Sequence, residues 1–124
     1  MDSEDLYKKC LALEAAGEHQ NAVPLYKKLT RGSEEPRFHI AFGGCLQHLG
    51  HWQESLGHFQ HGIALKPHYC EGNVRLMLAT SFLKVGLKKR AIEQWKIVAA
   101  MTPEYPSYEA VPNEAKKMLV QYAL

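Results

Sequence analysis

Apolar residues recur at steps of three and four along nearly the whole chain, and no alternating strand pattern competes with them. A first helix is expected from about Ser3 to Ala16, with Leu6, Cys10 and Leu13 on one face. Gly17 ends it, because glycine tolerates the left-handed conformation that closes a helix. A second helix carries Ala22, Leu25, Tyr26 and Leu29, and the polar segment from Thr30 to Glu35 reads as a loop. Pro36 opens a third helix, where a missing N–H costs nothing. Its apolar face holds Phe38, Phe42, Cys45 and Leu49, and Gly50 stops it. Trp52, Leu56, Phe59 and Ile63 mark a fourth helix ending before Pro67. Asn73 to Val85 form a fifth, with Val74, Leu78, Phe82 and Val85 inward. Ala91, Ile92, Trp95 and Val98 mark a sixth that stops before Pro103. A loop rich in Pro and Tyr runs from Thr102 to Pro112, and a last helix carries Ala115, Met118, Leu119 and Tyr122.

These helices fall into a repeat. Gly17, Gly50 and Gly86 lie 33 and 36 residues apart. Each is followed five places later by a small residue (Ala22, Ser55, Ala91) and nine places later by an aromatic one (Tyr26, Phe59, Trp95). Two units also end alike, in Ala64-Leu65-Lys66-Pro67 and Ala100-Met101-Thr102-Pro103. A period of this length belongs to stacked two-helix units. The small residues fall where paired helices cross, with Gly43 and Ala79 on the opposing helices and Cys10 in that role in the first unit. The large rings are expected to fill the gap between one unit and the next.

Composition narrows the function. The 124 residues, 46% hydrophobic and 23% charged, suit one folded domain. A net charge of +2, with lysines in scattered pairs, gives no basic stripe for nucleic acid. Three widely spaced cysteines, none in a C-x-x-C pair, argue against a disulfide framework and for a reducing compartment. The acidic N-terminus has no apolar run behind it, and no stretch approaches the ~20 apolar residues of a membrane span. A cytoplasmic protein is expected, without membrane insertion.

The pattern resembles the tetratricopeptide repeat over about residues 3–103. The second and third units carry it best, through Gly43, Gly50, Trp52, Phe59 and Pro67 and then Ala79, Gly86, Ala91, Trp95 and Pro103. The first unit lacks the terminal proline and has Pro24 inside its second helix, which is therefore expected to start late or bend. Ser55 replaces the usual alanine. Residues 104–124 resemble the solvating C-terminal helix of such arrays. The resemblance implies an all-α, right-handed superhelix of three antiparallel helix pairs (about 3–35, 36–69 and 70–103) plus a capping helix. It also implies a protein–protein interaction module whose first helices line a concave groove.

Mapped onto this chain, the family's inward positions are Tyr7, Lys8 and Leu11 from the first helix, Arg37, Ile40, Ala41, Gly44 and His48 from the third, and Asn73, Leu76, Met77, Thr80 and Lys84 from the fifth. Such a wall, apolar in the middle with cations at its edges, suits an amphipathic helix or an extended segment of another protein. One subclass clamps the C-terminal carboxylate of heat-shock chaperones. Here the clamp positions hold Tyr7, Leu11, Ala41, Asn73 and Met77, which lack the required cations, so that activity is not expected.

Chemistry is sparse. His58 and His61 share a helix face, His48 and His51 straddle a helix end, and His68 and Cys70 lie in a loop, but no set of three or four metal ligands emerges. Neither a metal nor a cofactor is expected. Phosphate loops, dinucleotide fingerprints, H-E-x-x-H and nucleophile elbows are missing. The Gly43-Gly44 pair reads as close packing, and Cys45, three residues before His48, reads as a buried structural thiol. The expectation is a non-enzymatic adaptor or scaffold. Its rivals are the interaction domain of a longer, enzymatic protein, compatible with the chain ending inside an apolar helical pattern, and an array that self-associates through its open ends.

Overall fold

The computed structural model describes residues 1–67, 70–102 and 109–123, and its regular structure there is entirely helical. The apolar stripes become α1 (Ser3–Ala15), α2 (His19–Thr30), α3 (Pro36–His48), α4 (Trp52–Ala64), α5 (Glu71–Lys84), α6 (Lys88–Ala99) and α7 (Ala110–Tyr122). Asp2 caps α1, its carboxylate accepting from the Asp5 N–H at 2.8 Å, and Pro36 stands in the first turn of α3.

The three spaced glycines end α1, α3 and α5 by one device. Each has a left-handed backbone, with φ of 78° at Gly17, 76° at Gly50 and 84° at Gly86. The glycine N–H donates to Glu14, Gln47 or Leu83, and the next N–H donates to the carbonyl of Leu13, Leu46 or Phe82 at 2.8 Å. This double closure satisfies two orphan carbonyls and reverses the chain within three residues. The products are the antiparallel pairs α1/α2, α3/α4 and α5/α6, stacked in chain order, with α7 packed on α6 and α5.

Small residues set the approach of the helices. Cys10, Ala22, Ser55, Ala79 and Ala91 are all fully buried. A Cβ built on Gly43 would lie 2.6 Å from the Phe59 ring, and one on Gly62 would lie 2.7 Å from Ile40. The aromatics then bridge the units. Tyr26 stacks on Phe42 of α3 at 5.3 Å between ring centroids, and Trp95 stacks on Tyr122 of α7 at the same distance. Phe59 joins a core with Val74, Leu78 and Phe82 of the next pair.

The core divides between the paired helices of the second unit. Phe38, Phe42, Cys45 and Leu46 belong to a cluster with α1 and α2, whereas Leu56 and Phe59 belong to one with α5, α6 and α7. A polar seam joins α3, α4 and α5. The Gln47 amide donates to the Met77 carbonyl at 2.8 Å and to the Ser81 hydroxyl at 2.7 Å, and Ser81 and Ser55 share a hydrogen bond of 2.6 Å. Buried polar groups are tolerated when paired in this way.

Three expectations need correction. The second helix does not start late: α2 begins at His19 and runs through Pro24. Pro24 and Gln20, whose carbonyl loses its usual i+4 donor to the proline, are both exposed. Thr30 belongs to α2 rather than the loop, buried and donating to the Tyr26 carbonyl at 2.8 Å. The last helix begins at Ala110, so Pro112 sits in its first turn, where its missing N–H has no partner to lose. Pro103, His68 and most of the expected 102–112 loop lie outside the described residues.

Candidate functional site

The first helices of the three pairs leave a depression between them. A groove of about 350 Å³ is lined by Tyr7, Leu11 and Glu14 of α1, by Arg37, Ile40, Ala41, Gly44, Cys45 and His48 of α3, and by Cys70 and Met77 at α5. A second hollow of about 270 Å³ adjoins it, lined by Gly44, Gln47, His48, Trp52, Met77 and Thr80. Gly44, His48 and Met77 border both. Helical geometry explains the set, because residues three and four apart share a face. Tyr7, Leu11 and Glu14 form one such row, and Arg37, Ile40 or Ala41, Gly44 and His48 form another.

Gly44 keeps the floor open. A Cβ there would meet only the flexible tip of Met77, at 3.4 Å. Ile40 serves two purposes, since it borders the groove and also wedges against Gly62 of α4. At the rim the Arg37 guanidinium donates to Glu35 at 2.6 Å and to Glu4, and lies 5.5 Å over the Tyr7 ring. Its charge is already balanced by two carboxylates.

The far end of the groove is polar. The Tyr26 hydroxyl donates to Glu14 Oε2, and His19 Nδ1 lies 3.2 Å from Glu14 Oε1. The Cys45 thiol donates to the His19 carbonyl at 3.4 Å, and the His48 ring stacks on His19 with centroids 4.5 Å apart. Burial, followed by the nearby Glu14 carboxylate, pushes the Cys45 thiol up to about 12, and the same causes push Cys10 up to about 11. Both thiols are protonated at neutral pH, which leaves Cys45 without the thiolate that a nucleophile needs. Among the described residues, Glu14, His19 and Cys45 form a set of candidate metal ligands whose donor atoms all lie within 4.8 Å of one another.

A second histidine group lies on the other side of α3. The His39 ring is 4.0 Å from His61 and 6.4 Å from His58, centroid to centroid, and His58 packs on Phe42 at 4.3 Å. His39 Nε2 lies 2.8 Å from the Ser33 carbonyl, whereas its buried Nδ1 has no partner among the described residues. Desolvation, reinforced by His39 and His61, lowers the pKa of His58 below its ordinary 6.5.

Of the residues that the resemblance placed in the groove, Tyr7, Leu11, Arg37, Ile40, Ala41, Gly44, His48 and Met77 line the main groove and Thr80 the adjoining hollow. Lys8, Asn73, Leu76 and Lys84 line neither. Lys8 and Asn73 are exposed, Leu76 packs on the α4–α7 core as Met77 also does, and the Lys84 ammonium sits 5.5 Å over the Trp52 ring. Glu14, Cys45, Gln47, Trp52 and Cys70 join the walls without having been foreseen. Glu14 alone carried a signal, as it extends the Tyr7–Leu11 row by one turn.

No protein-family model matches the sequence, and no curated protein does. Solved structures do. The chain is similar to PcrH in complex with the chaperone binding region of PopD, at 21% identity and a TM-score of 0.85, over 97% of this chain and 90% of that one. PcrH comes from Pseudomonas aeruginosa. It is also similar to the Yersinia enterocolitica type III secretion chaperone SycD in complex with a peptide of the translocator YopD, at 17% identity and a TM-score of 0.83, over 97% and 91% of the two chains. A third match is a T3SS complex from Aeromonas hydrophila, at 20% identity and a TM-score of 0.86, over 98% and 80%. The fold is tetratricopeptide-like. Its helix pairs and closing helix are those expected from the repeat, and no helix among the described residues is long and apolar enough to cross a membrane.

Proposed function

We propose that this protein is a non-enzymatic, cytoplasmic adaptor of the tetratricopeptide family whose groove receives a helical or extended segment of another protein. One observation carries the reading. The groove-facing row of α3 has Ala41 and Gly44 at its centre, so among the described residues a channel floored by short side chains and the adaptable Met77 stays unfilled. Tyr7, Leu11 and Ile40 supply apolar surface beside it, which favours apolar anchors on the incoming segment. PcrH and SycD, solved with segments of PopD and YopD, support the same mode of use. The pairing of Arg37 with Glu35 and Glu4 weighs against capture of a chaperone's C-terminal carboxylate, since the cation at that rim already has its partners.

Selection from a phage-displayed library of random peptides tests this reading. Peptides sharing an apolar spacing should be enriched on the wild-type protein, and Leu11→Asp, which alters a largely exposed wall residue, should weaken them more than about tenfold with the fold intact. Failure of any peptide to enrich, or equal binding by Leu11→Asp, would overturn the proposal. Self-association is the second reading. It is favoured by Val120, which is 68% exposed on α7, and by the description of SycD in one structure as an alternative dimer. Light scattering across a concentration series separates the two.

A further inference from the structure

We infer that Glu14, His19 and Cys45 form a binding site for a single zinc-class divalent cation at the polar end of the groove. The three side chains come from three separate elements: the end of α1, the first residue of α2 and the third turn of α3. Glu14 and His19 meet across the α1–α2 turn, five residues apart, and the fold brings Cys45 to them from α3. They are the carboxylate, imidazole and thiol that zinc takes as ligands.

One edge of the triangle already has the length it takes in a loaded site. Two ligands each about 2.0–2.1 Å from a tetrahedral zinc lie about 3.3 Å apart, and His19 Nδ1 and Glu14 Oε1 are 3.2 Å apart. The Cys45 sulfur completes a triangle in which no edge exceeds 4.8 Å. Supporting contacts already orient the ligands. The Tyr26 hydroxyl holds Glu14 by Oε2, leaving Oε1 for the ion, and the His48 ring lies flat against His19 with an interplanar angle of 4°. Glu14 and Cys45 border the groove, which gives the ion a path inward.

The charge balances. As the sulfur–metal bond forms, the thiol proton leaves to water. Thiolate and carboxylate then neutralise the dication, while His19 binds as neutral imidazole. The fourth tetrahedral position remains for water or for a donor from whatever occupies the groove. The site stands on these contacts and does not depend on peptide binding.

Cobalt(II) and zinc(II) titration of untagged protein tests the inference. Expected are one equivalent of cobalt, a thiolate-to-cobalt charge-transfer band with tetrahedral d–d absorption, and loss of both when zinc is added. His19→Ala and Glu14→Ala should each weaken zinc binding more than about tenfold, and Tyr26→Phe about tenfold through the supporting contact. Cys45→Ser should abolish the charge-transfer band, and the His58→Ala/His61→Ala double variant should leave affinity unchanged. Should the Cys45 variant fail to fold, retention of the band in Cys70→Ser assigns it away from the other thiol of the groove. Absence of that band, or zinc affinity that follows His58 and His61 instead, would overturn the site and identify the Glu14–His19–Tyr26 contacts as a hydrogen-bond network only.

Discussion

Gly43 and Gly44 are neighbours in the middle of α3, and they belong to different parts of the molecule. Gly43 points its missing side chain at α4, where the Phe59 ring takes the space and a Cβ would lie 2.6 Å away. Gly44 points toward the groove, where a Cβ would reach only the end of Met77 at 3.4 Å. One glycine is absent volume already filled from within; the other is absent volume left open. The same division runs along the helix. Phe38, Phe42 and Leu46 on the inner side are buried, whereas Arg37, Ile40, Ala41 and His48 on the groove side retain access to solvent. The inner face closes helices on one another and the outer face keeps room for a visitor.

The largest effect should come from Gly43→Ala. Alanine favours the helix by about 1 kcal/mol, but forcing a methyl into the Phe59 ring shifts a buried aromatic or the α3–α4 spacing and costs about 1–3 kcal/mol, occasionally more. Chemical denaturation should show a net loss; a gain would mean that the two helices are not so closely packed. Gly44→Ala should move the other way, by about 0.5–1 kcal/mol, because it gains helix propensity and meets only a flexible methionine. A loss as large as that of Gly43→Ala would erase the distinction between the faces.

A smaller effect probes the inner histidines. His58 is half-buried, faces His39 and His61, and has only Glu54 in partial compensation. Its folded-state pKa lies below the ordinary 6.5, so the unfolded chain takes up a proton more readily. The resulting stabilisation is complete above pH 6.5 and is lost as pH falls through the lowered folded value. Melting curves between pH 7.5 and 5 should therefore show declining stability, with a shallower slope in His58→Gln. An unchanged slope would remove His58 as its source.

What repeats along the chain was legible in it. Gly17, Gly50 and Gly86 announced the helix ends because only a left-handed residue closes them so tightly, and Tyr26, Phe59 and Trp95 announced the bridges between units because nothing smaller spans that gap. The groove was legible on α1 and α3, where one row of residues is clearly distinct from the buried row. It was not legible on α5. Val74, Leu76, Met77 and Leu78 leave no polar face to mark a boundary: Leu76 and Met77 both pack on the core, and Met77 of the two also borders the groove. Of the two outcomes expected from Pro24, the late start did not occur, because Pro24 lies on the exposed side of a helix that already begins at His19. Glu14, His19 and Cys45 were invisible as a group because Cys45 reaches the local Glu14–His19 pair only through the packing of α3 on the first two helices.

The most direct measurement is calorimetric titration of a library-selected peptide into wild-type protein and Gly44→Leu. Leucine at this position extends into the channel beside Met77 rather than into the core. Peptide affinity should fall more than about tenfold, roughly 1.4 kcal/mol, while circular dichroism keeps its wild-type form and the melting temperature does not fall. Undiminished affinity in a folded Gly44→Leu would contradict the account, because the binding surface would then lie elsewhere.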